Sequence, residues 1–218
     1  MMKKSGRSGL SLIELIFTIV IIGIVFTVIP KIIFSLNKSD QFAIRQDALF
    51  NGISMMQMIS SLAWDENNTA SNDILHVNAG NALFDCNSTT HYRIGGFIGS
   101  RNCENDKNAS VMGDFAGTNY FLANNIDRFN NQDINASYYN LHISVQYIDE
   151  NITYPSPHQA KVMLNTHGAA SNDTTNLKRV ELNITYNGKR GTVGKQIAQF
   201  SYVSANIGQM TFNSRVWK

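Results

Sequence analysis

The sequence is poor in the groups that carry most enzyme chemistry. Among 218 residues there are two cysteines, Cys86 and Cys103, and neither sits in a C-x-x-C arrangement. No histidine pair stands near them at the spacing of a zinc site. The five histidines, His76, His91, His142, His158 and His167, share no spacing. There is no G-x-S-x-G elbow, no H-E-x-x-H pair, no phosphate loop and no EF-hand loop. The chain therefore offers no catalytic constellation and no metal site, and the expectation is a protein that is not an enzyme. A hydrolase on a membrane anchor has no residues to support it. A charge excess is also lacking: 18 basic residues stand against 16 acidic ones. Three of the cations, Lys3, Lys4 and Arg7, lie in the first nine residues, and without these the net charge is about −1. Lys178, Arg179, Lys189, Arg190, Lys195, Arg215 and Lys218 give the C-terminal part some basic character, but no aromatics interleave them. Nucleic acid is thus an unfavoured partner rather than an excluded one.

Charge is most conspicuously missing between Leu10 and Pro30, where LSLIELIFTIVIIGIVFTVIP contains one ionised side chain, Glu14. A run of this length spans a bilayer as a helix, which needs about 20 residues. A carboxylate inside it is costly in lipid and calls for a partner. The basic residues before the run place that end in the cytoplasm and the rest of the chain outside the inner membrane. The residues after Pro30, KIIFSLNKSD, contain no A-x-A-like cleavage site, so the run is read as retained.

The stretch Ser8–Leu15, SGLSLIEL, resembles the prepilin signal of type IV pilins and type II secretion pseudopilins. The resemblance covers roughly the first sixth of the chain. It implies a membrane peptidase that cuts the Gly9–Leu10 bond on the cytoplasmic face and methylates the new Leu10 amine. Leu10 departs from the Phe or Met usual there. Glu14 is then the family's glutamate, and the amine of a neighbouring subunit, offset along the helix axis, is its partner. Such a pair acts as a register pin, because a subunit out of register leaves the carboxylate unsatisfied. The resemblance also implies that Gly23 and Pro30 bracket a stretch of helix able to loosen within a filament, consistent with the hydrogen bond that proline removes.

From Ser35 the pattern turns amphipathic. Phe42, Leu49, Ile53, Met56 and Ala63 follow helical spacing, with Met55, Ile59 and Leu62 widening the stripe, and Gly52 reads as a single tolerated lapse. One helix of about 80 Å is expected from Leu10 to about Trp64. Its Met-rich stripe reads as core in the first place and as a partner groove in the second. After Asn68 the chain becomes rich in Asn, Ser, Thr and Gly. Strands are expected at 73–77, 81–84 and 91–98, and more firmly at 140–149 and 179–187, where Leu141, Ile143, Val145 and Tyr147, then Val180, Leu182, Ile184 and Tyr186, alternate with polar residues. Asn187–Gly191 reads as a hairpin turn leading to a last strand within 192–202. Residues 99–139 and 150–178 read as long loops, where a family of this kind carries individual function. The expected architecture is α+β and pilin-like: a leader at 1–9, a transmembrane or filament-core helix at 10–34, its amphipathic continuation at 35–64, and a head at 65–218 built on an antiparallel sheet packed against the helix. No cofactor is expected, with structural Ca²⁺ at the Asp65–Asn68 or Asn105–Asn108 oxygens as a lesser alternative to ordinary Asx turns.

In an oxidising compartment Cys86 and Cys103 can close one disulfide, worth roughly 3 kcal/mol for a loop of this size; otherwise they are free thiols. Eight N-x-S/T triplets occur, and six of them, at Asn67, Asn87, Asn108, Asn135, Asn151 and Asn183, carry an acid two residues earlier. Chance at this acid content places fewer than one. The pattern resembles the extended sequon of bacterial oligosaccharyltransferases, and implies N-glycosylation of the head; Asx-turn chemistry is the alternative source of such clusters. Asn183, inside an expected strand, is the least accessible. The expected partners are other pilin or pseudopilin subunits, the prepilin peptidase and methyltransferase, the inner-membrane assembly platform and membrane lipid. The service is type II secretion or pilus biogenesis, with DNA uptake or adhesion as the alternative.

Overall fold

A computed structural model describes residues 11–69, 74–80, 86, 103, 107–115, 117, 119–150, 168–189 and 192–207. The chain divides into two compact units, residues 1–46 and 47–218. One helix, α1 (Leu12–Ser60), runs through the first and into the second. It continues through Gly23 and Pro30 without a break. Its end comes four residues before Trp64: Ser61 and Leu62 donate to carbonyls three residues back, and the Ser60 and Ser61 hydroxyls fold onto the carbonyls of Gln57 and Met58. Tightening of this kind uses carbonyls that the last turn would leave without partners.

The second unit is built on a five-stranded antiparallel sheet: β1 (Gln132–Asn135), β2 (Tyr139–Ile148), β3 (Ala170–Ser171), β4 (Leu177–Tyr186) and β5 (Gln196–Ala205). The order is β1-β2-β4-β5, with β3 paired to the end of β2. Strands β2 and β4 are long because their sequences alternate, and the alternation sets the register: Leu141 faces Ile184, Ile143 faces Leu182 and Val145 faces Val180, all buried. The β4–β5 connection is longer than the five-residue turn read from the sequence. It closes where Tyr186 and Lys195 meet, with Gly188 and Gly194 at positive φ, and β5 accordingly begins at Gln196. The short strands β1 and β3 fall in stretches read as loops. Residues 74–77 form one bridge, His76 with Asn108, rather than a strand. The strands expected at 81–84 and 91–98 lie outside the described residues.

The helix meets this sheet through small residues. Ala48, Gly52 and Ile59 are its buried positions in the second unit, followed by Ala63 beyond its end. Gly52 is no lapse: a Cβ there would lie 2.7 Å from both Ile184 Cδ1 and Phe200 Cε2. The stripe is thus rotated from the one expected. Met55 and Met56 are half-buried, while Leu49, Phe50, Ile53 and Met58 are exposed.

Candidate functional site

Two places carry chemistry. The first is the apolar half of α1. Every residue from Ser11 to Ala43 is exposed, Glu14 included. The helix is long and apolar enough to cross a membrane, and none of its most apolar window is buried by the rest of the chain. Its polar atoms are arranged accordingly. The hydroxyls of Thr18 and Thr27 donate to the carbonyls of Leu15 and Ile24, at 2.8 Å each, so neither needs solvent. Glu14 is different. It lies in the first turn, where the helix dipole favours a negative charge, and among the described residues no side-chain donor meets its carboxylate. Gly23 has nothing within 4 Å of where its Cβ would be. Gly9 and Leu10 lie outside the described residues.

The second place is in the head, where a lysine is buried on the apolar face of β4. Lys178 shares its alternation with Val180, Leu182, Ile184 and Tyr186, and its side chain is fully buried. Its ammonium is 2.8 Å from Asp65 Oδ2, and 2.7 and 2.9 Å from the two carboxyl oxygens of Asp127. It also donates to the Trp64 carbonyl at 3.0 Å. The ring centroids of Trp64 and Tyr147 lie 3.9 and 4.8 Å from the nitrogen, so aromatic faces wall the site and add cation–π attraction. Local sequence builds each arm. Asp65 caps the short 3-10 turn Glu66–Asn68, accepting from the Asn67 amide while the Asn68 side chain accepts from the Asp65 amide. Asp127 sits in a second 3-10 turn, Ile126–Phe129, capped by Asn125 and docked by a bond from the Ile126 amide to the Ala63 carbonyl. The chain just past α1 thereby brings both acids to β4.

The two carboxyls are not equivalent. Asp65 accepts from the Asn67 amide, the Ser110 amide and the Ser110 hydroxyl as well as from Lys178. Burial opposes its charge, but Lys178 and these donors outweigh it and hold its pKa below the usual value. Asp127 has Lys178 as its one side-chain donor among the described residues. Burial, reinforced by the charge of Asp65 and opposed by Lys178, raises its pKa to about 7. One cation between two acids leaves one negative charge too many for a dry interior, and Asp127 is where the proton stays. Burial together with the two acids also pushes the Tyr147 phenol upward, and that hydroxyl donates to the Ser110 carbonyl at 2.6 Å.

Other residues singled out in the sequence fall as follows. Cys86 and Cys103 are joined as a disulfide, their Cα atoms 6.0 Å apart. Asp65, offered as a hard-oxygen ligand, is turned inward to Lys178. Among the described residues no group of three or more His, Cys, Asp and Glu side chains is placed to hold a metal. His142 meets Asp133 at 2.7 Å on the outer face of the sheet. The sequons separate by position. Asn135 is exposed at the end of the edge strand β1, with Asp133 and Ser137 also exposed. Asn67 is exposed, but its acid Asp65 is sealed in the ionic cluster and its own amide donates to the Asn108 carbonyl. Asn108 is exposed, with Asp106 outside the described residues. Asn183 lies mid-strand in β4 between His142 and Gln199. Asn87 and Asn151 lie outside the described residues. The basic pair Lys178-Arg179 is not a surface patch: the lysine is buried and the arginine pairs with Glu181 at 2.9 Å. Asp127 and the inward Lys178 were missed in the sequence, although the period-two pattern of β4, carried two residues further back, puts Lys178 on the inner face.

Residues 4–30 match the family described as the prokaryotic N-terminal methylation motif. No curated protein matches the chain, and no solved structure does.

Proposed function

Because this chain carries the prepilin-type signal of type IV pilins and pseudopilins, we propose that it is a filament subunit, cut between Gly9 and Leu10, methylated on the Leu10 amine and assembled through α1. The observation that carries the reading is the uncovered apolar helix with one carboxylate near its start. A helix of this kind is stable in lipid or against like helices, and the carboxylate fixes which register of neighbours satisfies it. The cationic amine of an adjacent Leu10 is the proposed partner of Glu14. Anchoring is in the inner membrane, with the N-terminus cytoplasmic and the head periplasmic; the prepilin peptidase and an assembly platform are the implied partners. The exposed Leu49, Phe50 and Ile53 extend the assembly surface beyond the membrane depth.

Secretion or pilus biogenesis is preferred over DNA uptake, since Lys178 and Arg179, two of the cations that a nucleic-acid reading would use, are internally paired. Gly9→Ala is expected to leave the chain at its unprocessed size, seen by mass. Glu14→Ala is expected to insert and be cut but to be lost from sheared filaments; wild-type incorporation would remove the proposed pairing. An N-linked glycan is proposed at Asn135 rather than Asn183, and a bare Asn135 peptide from the native protein would reject it.

A further inference from the structure

We propose that Lys178 and Asp127 join in an amide bond inside the folded head, with Asp65 acting as the base. The geometry is that of a reaction complex. The lysine nitrogen stands almost equally far, 2.7 and 2.9 Å, from both oxygens of one carboxyl, so the carboxyl carbon between them lies roughly 3 Å away, the separation of a near-attack pair. A second carboxylate, Asp65, touches the same nitrogen at 2.8 Å and can take its proton. The lysine and Asp65 side chains are fully buried and that of Asp127 is 6% exposed. Trp64 and Tyr147 close the sides. Reactants held this way reach effective molarities of about 10⁵ M or more, which offsets the unfavourable loss of water that amide formation meets in solution.

The two acids are differentiated as the step requires. Asp65 is surrounded by donors that suit a carboxylate anion, so it stays charged and is a poor electrophile, and its Oδ2, 2.8 Å from the nitrogen, is the atom placed to take the proton. Asp127 lacks those donors, and burial keeps its carboxyl protonated up to about pH 7, the form that amines attack. The ammonium gives one proton to Asp65, and the freed amine adds to the Asp127 carbon. The C–N bond forms; a second nitrogen proton passes, by way of Asp65, to the departing hydroxyl; the C–O bond breaks and water leaves. The proton first taken remains on Asp65. An ammonium, a carboxylic acid and a carboxylate become an amide, a water and a carboxylic acid, so atoms and charge balance with no co-reactant. The link would tie the turn before β1 to the start of β4 across 51 residues, a second covalent tie in addition to the Cys86–Cys103 disulfide.

Peptide mapping of the full chain, extracted in detergent from membranes, denatured and reduced, tests this. Expected is a branched peptide joining the Asp127 side chain to Lys178, lighter by one water than its two parts, with no tryptic cut after residue 178. Asp65→Ala, which keeps both joined residues, is expected to slow closure by about a hundredfold or more. Linear peptides with cleavage after Lys178 in the wild-type protein would overturn the proposal, whether or not the variant folds. A branch at residue 65 in place of 127 would overturn it as well.

Discussion

The two units of this chain invert each other. Residues 12–34 present apolar side chains outward and keep one carboxylate among them, whereas the head hides a lysine and two acids beneath an apolar sheet face. In each case a charge sits where charge is expensive, and the difference lies in who satisfies it. Lys178 finds its counter-charges within its own chain. Glu14 has no such arrangement among the described residues, and in the proposed reading another molecule supplies it.

The strongest way to break the comparison is to make the head as dependent as the helix. Lys178→Met keeps the length and removes both the ammonium and any amide made from it. Asp127 can meet this by holding its proton, but Asp65 is left as a buried anion with its main cation gone. The expected loss is about 3–5 kcal/mol of head stability, the usual consequence of orphaning one member of a buried pair. It is read from the unfolding midpoint of the full chain in detergent, followed by tryptophan fluorescence, since Trp64 lies against the lysine. Membrane insertion of the variant should be unchanged. A midpoint equal to wild type would mean that the cluster contributes nothing to the fold.

A smaller effect is expected where the helix enters the head. Gly52→Ala sets a methyl 2.7 Å from Ile184 Cδ1 and Phe200 Cε2. Overpacking of this order costs about 1–3 kcal/mol. The clashing atoms are the far ends of side chains and can give somewhat, and alanine returns up to about 1 kcal/mol of helix propensity. The net expectation is a loss of about 1–2 kcal/mol in the same unfolding measurement. A gain would show that the glycine is only a helix defect.

How much of this was legible beforehand follows from which physical signal each residue gives. The membrane run, Glu14 and the strands β2 and β4 announce themselves through local composition and period, and the structure places the helix and both strands within a few residues of expectation. The face of the amphipathic helix did not: hydrophobicity picked Leu49 and Ile53, but close approach to a sheet selects the small Ala48 and Gly52, and size is not hydrophobicity. Strands β1 and β3 are too short to show a period. The ionic cluster was hidden for another reason. Lys178-Arg179 looks like surface charge, and Asp65 and Asp127 look like turn formers; only their meeting, across 113 and 51 residues, gives them a shared meaning.

The smallest expected effect sharpens the comparison from the other side. Nothing lies within 4 Å of where a Gly23 Cβ would be, so Gly23→Ala should touch no head contact and leave the head's unfolding midpoint unchanged. Alanine favours the helix by about 1 kcal/mol over glycine, so amide exchange around residue 23 in detergent should slow by about fivefold. If Gly23 and Pro30 bracket a stretch that loosens under tension, filaments carrying the variant should also stretch less under load. Pro30 stays in place and still lacks its backbone donor, so the change should be partial. An effect on assembly itself would carry a different meaning. It would show that a neighbouring helix occupies the space beside Gly23, and that the outer face of this unit is packed as closely in the filament as the inner face of the head is within the chain.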